Sequence, residues 1–409
     1  ELEAPRTGSK HWLLEISNPL LDHLDIYFLR NTRIVAPILM GDSLPFGARP
    51  IDHRNFLVPV PELEPDERLV VYIRSDTSGT MQLPIVVWQN NAFIEHEQVS
   101  LMWQCVFYGI MLAMAVVNLF VYFATRHRSY LFYVGTVMSL VLFQATLHGY
   151  GYQMLWPNNQ WWQDRSVAFF IACASTFSMY FAISFLKLRQ QRPAYYYPFA
   201  FFAILGTIGI GFSLMLPYAL ALRFAVTAIA LGSPLCIFIG ALLLRNGFTP
   251  ARFYLLSWTM LMGSSVFLIA SKTGFLPVSW LTENIQQIGA TLQAIILALA
   301  LADQIQQLHR EQLAAQGAQL RHEREIRESQ ERANQQLERR VDERTRELAD
   351  VIRKLADANE RLAKMSIVDE LSGVNNRRYF NQKYEADFKA AYREQVSIAV
   401  IMFDIDHFK

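Results

Sequence analysis

At 409 residues the chain has room for roughly two to four domains. Its 52% hydrophobic against 18% charged residues is too apolar for a soluble protein and implies that much of it lies in a membrane. A net charge of +1, with no aromatic-studded basic patch, excludes a nucleic-acid partner.

Residues 1–95 read as an all-β domain. Segments 10–17, 24–29, 55–60, 68–75 and 80–88 are short alternating or apolar runs rich in β-branched and aromatic residues. Turn-forming stretches separate them: Asn18-Pro19, the run 41–50, 61–67 and 75–79. Five strands with these spacings suit a β-sandwich. Cys105, Cys173 and Cys236 all lie later, inside apolar runs, so no disulfide framework holds this region and a zinc site is unsupported.

Three motifs carry a resemblance. The run W-x-L-E-I-x-N-P (Trp12 to Pro19), G-D-x-L-P-F-x-x-R (Gly41 to Arg49) and the strand Tyr72-Ile73-Arg74 resemble the extracellular jelly-roll sensor domain that precedes seven-span bacterial receptors with varied intracellular signalling modules. The resemblance covers most of the region and implies a small-molecule, carbohydrate-like ligand. Trp12, Tyr27, Arg49 and Trp88 are the candidate ligand contacts. The plainer reading of the three aromatic residues is sandwich core.

Residues 99–302 hold seven apolar stretches of bilayer-spanning length: 101–124, 130–149, 166–186, 196–215, 219–244, 253–273 and 284–302. One set of connections carries Arg126, Arg128, Lys187, Arg189, Arg192, Arg245 and Arg252, and the other only Arg165, Arg223 and Lys272. The basic set is therefore expected in the cytoplasm of a bacterial inner membrane, with the β-domain periplasmic and Trp156, Trp161 and Trp162 at the outer interface. Asn118, Gln144, His148, Gln286, Gln287 and Gln293 lie within the spans, as a ligand-sensitive polar network or as plain interhelical glue.

The last span ends at Asp303, because a carboxylate in the hydrocarbon core costs roughly 2.5–3.5 kcal/mol. Residues 303–365 then continue as a charged helix without proline. With Leu337 at d, the a positions fall on Val341, Leu348, Leu355 and Leu362, and the d positions on Arg344, Val351, Ala358 and Met365. Such a rod is about 95 Å long at 1.5 Å per residue, too long to lie on any domain here, so a parallel dimeric coiled coil is expected. Defects at Glu323, Gln330 and Arg344 make alternate registers accessible.

Residues 366–409 hold the chemistry. An amphipathic helix from about Tyr379 to Arg393 is followed by a predicted strand, Val396 to Phe403, that delivers Asp404 and Asp406. Two carboxylates at i and i+2 before an amide-rich turn and a lysine suit Mg²⁺ held against a triphosphate. The pair D-x-L-S-G-V-x-N-R-R-x-F (Asp369 to Phe380) and F-D-I-D-H-F-K (Phe403 to Lys409) resembles the opening third of a GGDEF domain, the diguanylate cyclase family. The resemblance implies an α/β fold like a nucleotide-cyclase palm. In it, two GTP-loaded domains meet, and each 3′-hydroxyl attacks the other's α-phosphate to give cyclic di-GMP and two pyrophosphates.

Carried over, Asp404 and the Ile405 carbonyl hold Mg²⁺ or Mn²⁺, the His407 and Phe408 amides with Lys409 meet phosphate, and Lys409 also stabilises the transferring phosphoryl group. Asp406 is a further candidate. Asp369, Asn376, Arg377 and Arg378 form a structural domain-start motif, with Asp369 expected to pair with Arg377 or Arg378 and tie the domain to the coil.

The guanine-reading residues, the signature loop and any inhibitory product site are not in the sequence, which opens at Glu1 and stops at Lys409 inside a motif. It reads as a fragment at both ends, with any secretory signal lost and no activity of its own. The expected fold class is thus a multidomain membrane protein: an all-β jelly-roll-like sandwich, a seven-helix transmembrane bundle, a long coiled-coil helix and the start of a GGDEF domain. The expected function is a membrane-bound, homodimeric diguanylate cyclase that uses GTP and responds to an extracytoplasmic or membrane signal. The alternative is a non-catalytic seven-span receptor or scaffold with a degenerate GGDEF domain. A histidine kinase would need a His-acidic box with Arg-Thr-Pro after Met365, and a transporter would need no coil.

Overall fold

Strand alternation near the amino terminus produces two antiparallel sheets, which the computed structural model gives in the orders β1-β6-β3-β4 and β5-β2-β7. The structure describes residues 2–3, 11–30, 33–62, 68–79, 81–191, 193–277, 279–365, 367–404 and 406. They form two units, Glu1–Arg310 and Glu311–Lys409.

In the first unit the strands are β1 (Leu2–Glu3), β2 (Trp12–Ile16), β3 (His23–Arg30), β4 (Arg33–Met40), β5 (Phe56–Val60), β6 (Arg68–Asp76) and β7 (Ile85–Gln89). Side chains two apart share a face, so Leu14 and Ile16 of β2 meet Leu24, Ile26 and Phe28 of β3 in one core with Phe56 and Val58. Each such burial contributes roughly 1.5–3 kcal/mol.

β4 is a strand the sequence reading passed over. Its Pro37 lies opposite Tyr27 where the β3–β4 register shifts, and β4 stands at a sheet edge, where a residue without an N–H is tolerated.

Strand β7 runs straight into helix α1 (Asn90–Thr125), so the expected domain limit at residue 95 falls inside a helix whose first turns are a polar extension of the span. There follow α2 (Arg128–Leu147), a π-helical turn (Gly151–Leu155), α3 (Gln160–Phe185), the short α4 (Leu188–Gln191), α5 (Pro193–Met215), α6 (Tyr218–Arg245), α7 (Ala251–Lys272) and α8 (Trp280–Met365). Among the described residues, seven of these helices are long and apolar enough to cross a membrane, α8 through its first part.

Polar side chains tie α8 into the bundle. Tyr133 donates its hydroxyl to the Ala294 carbonyl at 2.9 Å and Tyr130 to that of Leu301 at 3.1 Å. Gln287 accepts from Trp103 Nε1 at 3.0 Å and donates to Gln104 at 2.8 Å, while Gln286 accepts from Ser265 at 3.2 Å. Among the described residues Asn118 bonds within its own helix, to the Met114 carbonyl at 2.8 Å.

In the second unit, α8 from Glu311 onward is exposed apart from a half-buried Gly317. The seam residues Leu337, Val341, Leu348, Val351, Leu355, Leu362 and Met365 are each more than half exposed, from 55% to 70%. Helix α9 (Arg377–Glu394) follows. The strand expected over 396–403 does not form: a strand needs a ladder partner, and none lies beside it among the described residues.

Candidate functional site

Two places bring chemistry-bearing residues together, one in each unit.

In the second unit, the motif that begins at Asp369 is a self-satisfied turn. The Asp369 carboxylate accepts from Leu371 N (3.2 Å), Ser372 N (3.1 Å) and Ser372 Oγ (2.9 Å), which lowers its pKa. Gly373 closes the turn at φ 67°, a conformation that needs glycine, and Asn376 N donates to the Ile367 carbonyl at 2.7 Å. Asn376 then caps α9, its side chain accepting from Tyr379 N at 3.0 Å.

Asp369 therefore spends its carboxylate on its own loop rather than on Arg377 or Arg378, which stand exposed in the first turn of α9. A carboxylate within reach of two amides and a hydroxyl three residues on has no need of a flexible arginine.

Asp404 and Asp406 are exposed, and as hard oxygen donors one residue apart they suit a divalent cation such as Mg²⁺. Ile405, His407, Phe408 and Lys409 lie outside the described residues. Among the described residues no three His, Cys, Asp or Glu side chains gather as a metal site.

In the first unit, the structure separates the four sandwich candidates. Trp12 packs on the sandwich core, and Tyr27 faces away from that core beside Tyr72 on the other sheet. Trp88 donates Nε1 to Glu15 Oε2 at 2.7 Å and stacks on His96. Arg49 is buried at 5% exposure between the rings of Phe46 (4.5 Å) and Phe56 (4.4 Å). Its Nη1 donates to the carbonyls of His53 and Arg54 at 2.8 Å each. Burial pulls this guanidinium down to about 10.

Arg49 belongs to a docking segment, residues 41–55, that joins the sandwich to the bundle. Arg54 Nε and Nη2 form a fork with the Glu97 carboxylate of α1 at 3.2 and 3.0 Å, and Nη2 also reaches Ser100 Oγ at 2.9 Å. His53 Nε2 lies 3.2 Å from the same carboxylate, and Arg54 sits over the Tyr150 ring at 5.2 Å. Burial works against the Arg54 charge, but the bonds to Glu97 outweigh it and its pKa stays raised.

Tyr152 donates to the Leu44 carbonyl, and Phe46 N donates to that of Pro157 at 3.3 Å. Gly149 has φ 80°, and a Cβ there would stand 2.8 Å from the Arg54 carbonyl, so the α2–α3 connection approaches the segment as only glycine allows. Asp42, at 5% exposure, accepts from Gln163 of α3 at 3.5 Å while its Oδ1 has no partner among the described residues. Burial first, then the charges of Asp22 and Asp164, push its pKa up from 3.8 to about 7.

Sequence reasoning missed Glu15, Asp42, His53, Arg54 and Glu97. The signal was present for two of them: Glu15 and Asp42 are the acidic positions of the Trp12 and Gly41 motifs, and a carboxylate in a central strand or an apolar-flanked turn asks for a partner.

Three family models match the chain. The 7TMR-DISM extracellular 2 model covers residues 1–89, the 7TM diverse intracellular signalling model covers 100–304, and the diguanylate cyclase GGDEF domain model covers 366–409. No curated protein and no solved structure matches.

Proposed function

Because the chain belongs to the 7TM diverse intracellular signalling family, whose model matches just over half of it, we propose that it is a receptor-type diguanylate cyclase of the bacterial inner membrane. The sandwich is periplasmic and takes a small, carbohydrate-like ligand; α8 carries the signal across the bilayer; a homodimer of α8 presents two GGDEF domains to each other in the cytoplasm. The observation that carries this reading is the GGDEF match at 366–409, directly behind a helix that runs unbroken from the membrane.

The sandwich lies on the α2–α3 connection, at the end of the bundle opposite the arginine-rich turns at Arg126 and Arg245, which supports the orientation. The uncovered a and d seam of α8 supports the pairing, since each apolar side chain withdrawn from water contributes roughly 1.5–3 kcal/mol.

In the reaction, the GTP 3′-hydroxyl on one protomer attacks the α-phosphate of the other, and pyrophosphate leaves. Asp404 and the Ile405 carbonyl would hold Mg²⁺ or Mn²⁺, which when bound neutralises triphosphate charge. The His407 and Phe408 amides and Lys409 hold the phosphates, Lys409 also meeting the charge that develops on the transferring group. Asp406 is a further candidate at this site. Joining two domains on one rod raises their mutual concentration to the millimolar range or above.

The test is conversion of GTP to cyclic di-GMP by the membrane-embedded protein expressed from its gene, so that any residues following Lys409 are present. Product from the parent and none from Asp404→Asn supports the enzyme. A nucleotide-binding protein that makes no product would instead be a receptor or scaffold.

A further inference from the structure

The first unit holds a cavity of about 1330 Å³, which exceeds the roughly 300–1,000 Å³ of ordinary small-molecule sites. It is lined from two directions. At the sandwich end stand Glu15, Asn55, Trp88, His96 and Gln104, and deeper in the bundle Leu140, Val167, Met179, Trp258 and Leu261. One end is thus rich in hydrogen-bonding groups and the other is hydrocarbon.

The buried charges of the polar end are answered, and Glu283, which also lines it, is exposed to solvent. Arg54 is held by Glu97, and Glu15 takes one donor on each oxygen, Asn55 Nδ2 at 2.6 Å and Trp88 Nε1 at 2.7 Å. A charged headgroup would have to break one of these bonds or sit unpaired, at a cost of several kcal/mol. Amides are more open: Gln104 bonds through Oε1, Asn284 through Nδ2 and Gln286 through Oε1, and no hydrogen bond among the described residues uses the other half of each.

A second small cavity of about 10 Å³ shares Leu140, Ser178 and Trp258 with the first. Into it faces Gln293 of α8, 2% exposed, whose Oε1 has no partner among the described residues. A space near one water probe in size with a single buried acceptor suits a water or a hydroxyl.

We propose that this cavity binds a single-chain amphiphile with an uncharged, hydrogen-bonding headgroup, its head among Trp88, Gln104 and Asn284 and its chain among α3, α5, α6 and α7. Occupancy bears on α8, because α7 and α8 are in close contact beside it, with Ser264 and Ser265 bonded to Gln286. A Cβ on Gly289 would stand 2.0 Å from Ser264 Oγ, so any spreading of α7 moves the helix that leaves the bundle. The site is distinct from the outer faces of the sandwich and is independent of the nucleotide chemistry.

The test uses the full chain in phosphatidylcholine nanodiscs and a monoacylglycerol carrying a diazirine in its chain. Saturable labelling of Val167, Trp258 and Leu261, which line the cavity and are buried, is expected, about tenfold above that of Leu112 and Phe120 on the exposed face of α1. Ser233→Trp and Ala228→Phe each add bulk to the lining, and each lowers the labelling about tenfold. Either variant alone suffices if the other fails to fold. Labelling spread evenly over lining and outer residues, which identifies bulk lipid, overturns the proposal. So does equal labelling by the lysophosphatidate analogue of the same chain, or labelling that both folded variants retain.

Discussion

Replacing Arg54 with methionine keeps an unbranched apolar stem and removes the fork that holds Glu97. Breaking a buried ion pair from one side costs about 3–5 kcal/mol, because the abandoned charge has nowhere to go. Here the Glu97 side chain keeps 21% exposure and a contact with His53 at 3.2 Å, so a smaller cost of about 2–3 kcal/mol applies. If that energy holds the docking segment against the bundle, opening of residues 42–55 becomes roughly 30- to 150-fold more frequent.

Hydrogen exchange reads this directly at the amides of Ala48 and Arg49, which bond to the Pro45 and Phe46 carbonyls, and at Phe46 N on Pro157. Arg54→Lys, which keeps the charge without the fork, falls between parent and methionine variant. Unchanged exchange over 42–55 in Arg54→Met refutes the clamp. Equal acceleration in β3, which has no part in it, would mean global loosening and refute it as well.

Three further outcomes are expected. The Asp42 carboxyl is raised from 3.8 to about 7, so its stabilisation of the docked segment is full below its ordinary value and is lost as pH rises through about 7; Asp22, Asp164, Gln163 and Arg49 are the groups that face it. Exchange over 42–55, corrected for intrinsic rate, should therefore quicken in the parent between about pH 5 and about pH 8 and stay flat in Asp42→Asn. Arg344→Leu fills a gap in the α8 seam, and its cross-linked dimer should survive denaturant better by roughly 1.5–3 kcal/mol while the signal response is lost; an unchanged response counts against register change. Asn376→Ala removes the α9 cap and should destabilise that helix by about 1 kcal/mol, seen as faster exchange at Tyr379 N.

The spans and most strands were legible because each depends on local composition: twenty apolar residues, or alternation over five, leave few alternatives. Strand β4 was not, because Pro37 speaks against a strand until its place at a sheet edge is known. The unbroken helix through Leu337 to Met365 was legible from its charged, proline-free composition, and its apolar a and d side chains stand exposed in one chain.

The site was harder to read. Trp12 and Trp88 sit on adjacent strands, yet one packs on the core and the other bonds Glu15, a difference set by strand register and invisible in residue type. Arg54 and Glu97 are 43 residues apart, and nothing local marks them as partners. The segment 396–403 has the composition of a strand and no strand beside it, so its pattern alone could not make a ladder.

The central claim is that a β-rich detector on one side of the bilayer is joined by α8 to nucleotide chemistry on the other. Single cysteines at Asp76 and at Glu385, in a background without Cys105, Cys173 and Cys236, can be treated in intact spheroplasts with an impermeant maleimide. The account predicts that the cysteine at 76 reacts at once and the one at 385 only after lysis. Reaction of both in intact cells would contradict it.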